Sequence, residues 1–136
     1  MKLKLIESNP SVDEYMTLIA STGWDGILEK GKARLEKCLK ENWFSVSVYN
    51  EADEIIGYGR ILSDGELQAL ICDVIIKPEF QRKGIGSLII TRLIEECKKY
   101  DILLIQLFSA WGKEDFYIKH GFEKKADEAP GMRYTN

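Results

Sequence analysis

The sequence predicts an α/β (α+β) fold, with a mixed and mostly antiparallel central sheet flanked by about four helices. Three observations carry that expectation. Runs of two-residue apolar alternation recur in the first half of the chain, as half-buried strands require. Asp64-Gly65 falls between two such runs, a tight hairpin signal that makes its flanking strands antiparallel. From Leu67 to Phe108 the pattern then reads strand, helix, strand, which makes those two strands parallel neighbours joined by a right-handed crossover.

The elements follow in chain order. Lys2 to Glu7 alternates as a short strand. Ser11 and Glu14 form a capping box after Pro10, and Val12, Tyr15, Met16 and Ile19 follow at helical spacing, with Gly23 as the stop. A second helix is expected from about Ile27 to Glu41 on the stripe Leu28, Leu35, Cys38 and Leu39, with Gly31 costing its first turns up to ~1 kcal/mol relative to Ala. Phe44 to Val48 is a strand, Asn50 to Asp53 a turn, and Ile55 to Leu62 a strand whose Gly57 and Gly59 signal a close backbone approach or a bulge. Leu67 to Ile76 is apolar on both faces along most of its length, as a buried strand is. Gly84 to Lys99 is a helix with Ile85, Leu88, Ile89, Leu93 and Cys97 on one face. Ile102 to Phe108 is a buried strand and Gly112 to His120 a short helix stopped by Gly121. Phe122 to Lys124 and Met132 to Thr135 are expected as a last pair of short strands.

The 136 residues are the size of one domain, and residues 1–136 are taken as one. A hydrophobic fraction of 45% and a charged fraction of 30% are those of a globular protein with a real core. The net charge of −3 argues against a nucleic-acid partner, which calls for a basic excess on one face. No apolar run approaches the ~20 residues of a membrane span, and the N-terminus lacks a signal-peptide core, so a cytoplasmic protein without a membrane partner is expected. Cys38, Cys72 and Cys97 are odd in number, match no metal spacing and sit in apolar patterns, which suits reduced, buried thiols. With His120 as the single histidine, no metal site is expected.

The informative stretch runs from Val74 to Ser87, VIIKPEFQRKGIGS. A buried strand leads into a short basic loop with two glycines, which opens a helix. A helix start leaves backbone N–H groups free and partly positive. Gly84 and Gly86 let an anion approach those groups, Arg82 and Lys83 add positive charge, and Ser87 offers a hydroxyl. Taken alone, these parts suit a pyrophosphate or a plain strand-to-helix turn with exposed basic residues. They are neither the dinucleotide fingerprint nor a P-loop.

The segment Gln81-Arg82-Lys83-Gly84-Ile85-Gly86 resembles the Q/R-x-x-G-x-G/A pattern of the GNAT superfamily of N-acetyltransferases. Upstream, Ile76-Lys77-Pro78 is similar to that family's V-x-P strand end. Downstream, Phe116-Tyr117-Ile118-Lys119-His120-Gly121-Phe122 is similar to its F-Y-x-x-x-G-F stretch. The order of elements also matches, so the resemblance spans nearly the whole chain.

The resemblance implies a GNAT fold in which two parallel strands splay and acetyl-CoA, used as co-substrate, lies between them. Val74, Ile75 and Ile76 would pair with its pantetheine arm, with Leu107 to Ala110, Ser109 included, on the splayed partner. The N–H groups from Arg82 through Lys83, Gly84, Ile85 and Gly86 to Ser87 would hold the pyrophosphate, with Gln81 beside them and Phe116 against the arm. The N–H near Val74 or Ile75 would polarise the thioester carbonyl. Tyr117 would be the general acid that protonates the departing sulfur. No residue stands out as general base: Asp73 is either a structural acceptor or a base reached through water, and strict alternation places it with Ile75, opposite Val74, Cys72 and Leu70. Trp24, Tyr58 and Arg60 are candidates to face the acceptor. The implied activity is direct transfer of an acetyl group to a primary amine, most simply on a small molecule. A GNAT-fold module that binds acetyl-CoA without turnover, and a protein or peptide N-acetyltransferase, stand as alternatives. A homodimer formed through sheet edges or through Gly131 to Thr135 is compatible with the resemblance.

Overall fold

Local sequence rules already place most of the elements. The computed structural model describes residues 1–136. Its elements are β1 (Lys4–Ile6), α1 (Val12–Ala20), α2 (Asp25–Leu28), α3 (Lys32–Lys40), β2 (Phe44–Tyr49), β3 (Ile55–Ser63), β4 (Gln68–Ile76), α4 (Ile85–Lys99), β5 (Leu104–Leu107) and α5 (Glu114–Lys119), with a 3-10 turn at Pro78–Phe80. Ser11 caps α1 with both halves of the expected box, its side chain accepting from the Glu14 N–H while the Glu14 carboxylate accepts from the Ser11 N–H. Asp64 turns the β3–β4 hairpin by accepting from the N–H groups of Glu66, Leu67 and Gln68.

The strands form one mixed sheet in the order β1-β2-β3-β4-β5. The first four are antiparallel, and β5 runs parallel to β4. Alternation then divides the core between the two faces. On one face, α4 lays Ile85, Ile89 and Leu93 on Val46, Val48, Ile61 and Ile71. On the other, α1 and α3 bury Tyr15, Leu18, Ile19, Leu35 and Leu39 against Ile55, Tyr58 and Ile75. Gly59 permits the close approach of α4, because a Cβ there would stand 2.6 Å from Ile89 Cγ2 and 2.9 Å from Leu93 Cδ1. No helix is long and apolar enough to cross a membrane.

Several expectations are corrected. The helix expected from Ile27 to Glu41 is two helices, because Gly31 adopts φ 89° and ψ 157° and breaks it between α2 and α3. Helix α1 ends at Ala20 rather than at Gly23. Phe122 to Lys124 and Met132 to Thr135 form no strands. Phe122 instead turns its ring onto Tyr117, with centroids 5.9 Å apart, and Lys125 reaches the side chain of Gln106 on β5. Of the three thiols, Cys97 is buried while Cys38 and Cys72 are half-buried.

Candidate active site

Strand β4 outruns its parallel neighbour. Residues Gln68 to Ile71 pair with Leu104 to Leu107, and pairing ends there, although β4 continues to Ile76. Beyond Leu107 the segment Phe108–Ala110 belongs to no strand. The parallel pair therefore opens as a wedge with the second half of β4 along one side.

A bulge lies at the same point. Across β3 the register runs from Ile61↔Ile71 to Gly59↔Val74, so Cys72 and Asp73 together face Arg60. An extra residue changes which face each later side chain takes. Ala69 and Ile71 pack towards α4, and so do Val74 and Ile76, whereas Asp73 and Ile75 turn to α1. Strict alternation along β4 therefore fails at the bulge, although Asp73 does share a face with Ile75.

The ladder fixes which backbone groups face the wedge. The Lys77 N–H bonds to the Ile56 carbonyl. Antiparallel ladders alternate, so Ile75 also points its N–H and C=O at β3, while Val74 and Ile76 point theirs to the side that β5 has left. The Gln81 side-chain amide, donating to the Ile76 carbonyl at 3.0 Å, occupies one of these groups.

The loop after β4 is shaped by two left-handed residues, Arg82 (φ 63°) and Gly84 (φ 82°). Glycine meets no Cβ penalty in that conformation, and the space beside Gly84 is open. The first bond into α4 is from the Leu88 N–H to the Gly84 carbonyl; the consecutive N–H groups from Arg82 to Ser87 donate to no acceptor in the chain. Unpaired amides at a helix start, together with the exposed Arg82 and Lys83, make an anion cradle. The residues present therefore fit a diphosphate at this point. The Ser87 hydroxyl lies 3.0 Å from His120 Nε2.

Helix α5 packs on the same end of α4. The Phe116 ring lies where a Cβ on Gly86 would meet its Cζ at 3.3 Å, and it contacts the Tyr117 ring edge-on. Tyr117 is half-buried, its hydroxyl makes no hydrogen bond within the chain, and burial pushes the phenol above its ordinary value. It stays a neutral proton donor through the physiological range. Tyr117, Ser109 and His120 also line a groove of about 880 Å³ that runs along β5 to the segment 121–131. Neither Val74–Ile76 nor Arg82–Ser87 lines that groove.

On the α1 face, Asp73 Oδ2 accepts from the Tyr15 hydroxyl at 2.5 Å and from Arg60 Nε at 2.6 Å. Burial, with the Asp73 charge beside it, pushes the Tyr15 phenol well up. Arg60 also donates to Asn42 Oδ1. Tyr58, expected to face an acceptor, is instead fully buried, with its hydroxyl bonded to Asn9 and Asn42. That removes it from any surface a ligand could reach. Trp24 is partly exposed at the N-cap of α2.

The sequence profile of the acetyltransferase (GNAT) domain matches residues 19–133. The uncharacterized N-acetyltransferase ycf52 of Pyropia yezoensis is 31% identical over 93% of this chain and 74% of its own length. The histone acetyltransferase TAP1 of Glycine max is 29% identical over 94% of this chain and 59% of its own length. Among solved structures, protein SA2161 of meticillin-resistant Staphylococcus aureus superposes with a TM-score of 0.86 at 25% identity, covering 99% of this chain and 100% of that one.

Proposed function

The chain belongs to the GNAT acetyltransferase family, and from that premise we propose that it moves an acetyl group from acetyl-CoA to a primary amine by direct transfer, with a small molecule as acceptor. The observation that carries this reading is a conjunction at one end of β4: the strand pair parts after Ile71 and Leu107, and the run of unpaired amides from Arg82 to Ser87 lies just beyond it.

When bound, the co-substrate supplies an activated thioester. Residue roles follow from position. The amides from Arg82 to Ser87 hold the diphosphate, with Arg82 and Lys83 adding charge and Ile85 anchoring the helix start in the core. Val74 and Ile76 offer backbone groups to the pantetheine arm across from Ser109. The Val74 N–H faces the wedge and serves as the donor to the thioester carbonyl. The Tyr117 hydroxyl protonates the leaving sulfur, and Phe116 fixes the helix that carries it. Asp73 is spent on holding Tyr15 and Arg60, and the amine proton leaves to solvent.

An acceptor screen that follows release of free coenzyme A tests this reading. A panel of small amines is run beside lysine peptides, since the relation to a histone acetyltransferase favours a protein acceptor as the second reading. Tyr117→Phe should lower turnover about 100-fold, the low end for a general acid, while coenzyme A binding is kept. Coenzyme A release at the same rate with and without every acceptor would sink the proposal.

A further inference from the structure

We infer that His120 is a positioning residue for the phosphate end of the co-substrate, holding the Ser87 hydroxyl so that its proton points into the cradle at the start of α4. The inference rests on the proposed reading of Arg82–Ser87 as the diphosphate site. The contact that carries it is the 3.0 Å approach of Ser87 Oγ to His120 Nε2, across 33 residues of sequence.

Ser87 is the third residue of α4, and a helical Cα–Cβ bond tilts towards the N-terminus. Its hydroxyl therefore sits at the level of the unpaired amides. A hydroxyl has one proton and two lone pairs, and a neutral imidazole has one donor and one acceptor nitrogen. If Ser87 donated to His120, only lone pairs would face a bound anion. If Nε2–H donates instead, the serine proton is free for a phosphate oxygen, in a charge-assisted bond. An anion in the cradle thus selects the Nε2–H form. The imidazole is placed for this by the Phe116 ring, 4.9 Å away and tilted by 57°, which itself lies on Gly86. His120 thereby links the phosphate cradle to α5, the helix that carries Tyr117.

The test measures dissociation constants for coenzyme A and for pantetheine, which lacks the diphosphate, on the full chain by calorimetry. Wild type should bind coenzyme A much more tightly. His120→Leu and Ser87→Ala should each weaken coenzyme A about tenfold, the double variant should be no worse than either single, and pantetheine should be unaffected. His120→Gln, whose amide can donate to Ser87, should restore binding; His120→Glu, which can only accept, should not, and this pair preserves the test if the leucine variant fails to fold. Unchanged coenzyme A affinity in His120→Leu, equal losses for both ligands, or additive losses in the double variant would overturn the inference while the wild-type preference stands. Equal wild-type affinity for the two ligands would bring down the diphosphate reading itself.

Discussion

Asp73 spends both of its hydrogen bonds on one oxygen, Oδ2, which receives Tyr15 from α1 and Arg60 from β3. The pair with Arg60 is largely removed from solvent, with side-chain exposures of 15% and 11%. Removing one partner of such a pair leaves a buried charge uncompensated. Asp73→Asn should therefore cost about 3 kcal/mol, the lower end for a buried pair because Arg60 keeps some solvent contact. Urea unfolding reads that loss. The molecules that remain folded should turn over within a few-fold of wild type. A general base would behave in the opposite way, with turnover falling at least 100-fold and little change in the unfolding midpoint. The sequence placed Asp73 at the end of a strand and left its role open, because its partners are 58 and 13 residues away. Tyr15 was visible only as one more apolar position on a helix stripe. Likewise, nothing local joins Ser87 to His120.

Elements were legible where their signals are local. The capping box of α1, the Asp64 hairpin and the apolar face of α4 follow from residues within a few positions of each other. The bulge at Cys72–Asp73 was hidden, since it is set by pairing with β3 and leaves no pattern in a strand that is apolar on both faces along most of its length. The two expected C-terminal strands rested on only three or four residues each, and neither forms; Phe122 turns its ring onto Tyr117 instead. Gly59 is the opposite case, a residue whose demand reads from sequence and is met in the structure. An alanine Cβ there would press on Ile89 and Leu93 at distances no real contact holds. Gly59→Ala should destabilise by about 1–3 kcal/mol, the usual cost of overpacking, and α4 should shift with its amides. Gly26→Ala, where a Cβ meets nothing within 4 Å, is the control. Equal melting temperatures for the two variants would show that α4 does not press on the sheet at this point.

At the scale of the molecule, β5 and α5 are attached to the sheet at its rim, with Ile105, Leu107, Phe116 and Tyr117 only partly buried against the α4 core. Four residue pairs join β5 to β4, and α5 adds the contacts of Phe116 with Gly86 and of His120 with Ser87. Strands β2, β3 and β4, by contrast, are held by the two cores. A ligand lying in the wedge would touch β4 on one side and the segment after β5 on the other, so it would fasten the rim to the strands that the two cores hold. Binding only to the folded state stabilises by mass action, about 2.7 kcal/mol at a hundredfold excess over the dissociation constant. Local opening of β5 and α5 should be suppressed by more than that global term alone brings to the sheet, because the ligand also bridges the gap. Hydrogen exchange with saturating coenzyme A should thus slow most at Val74, Ile76 and Arg82–Ser87, with Ser109 and Ala110 next, and least at the amides pairing β1 with β2. Protection confined to residues 121–131 would instead put the ligand in the groove along the far side of β5, and the wedge would lose its claim to be the site.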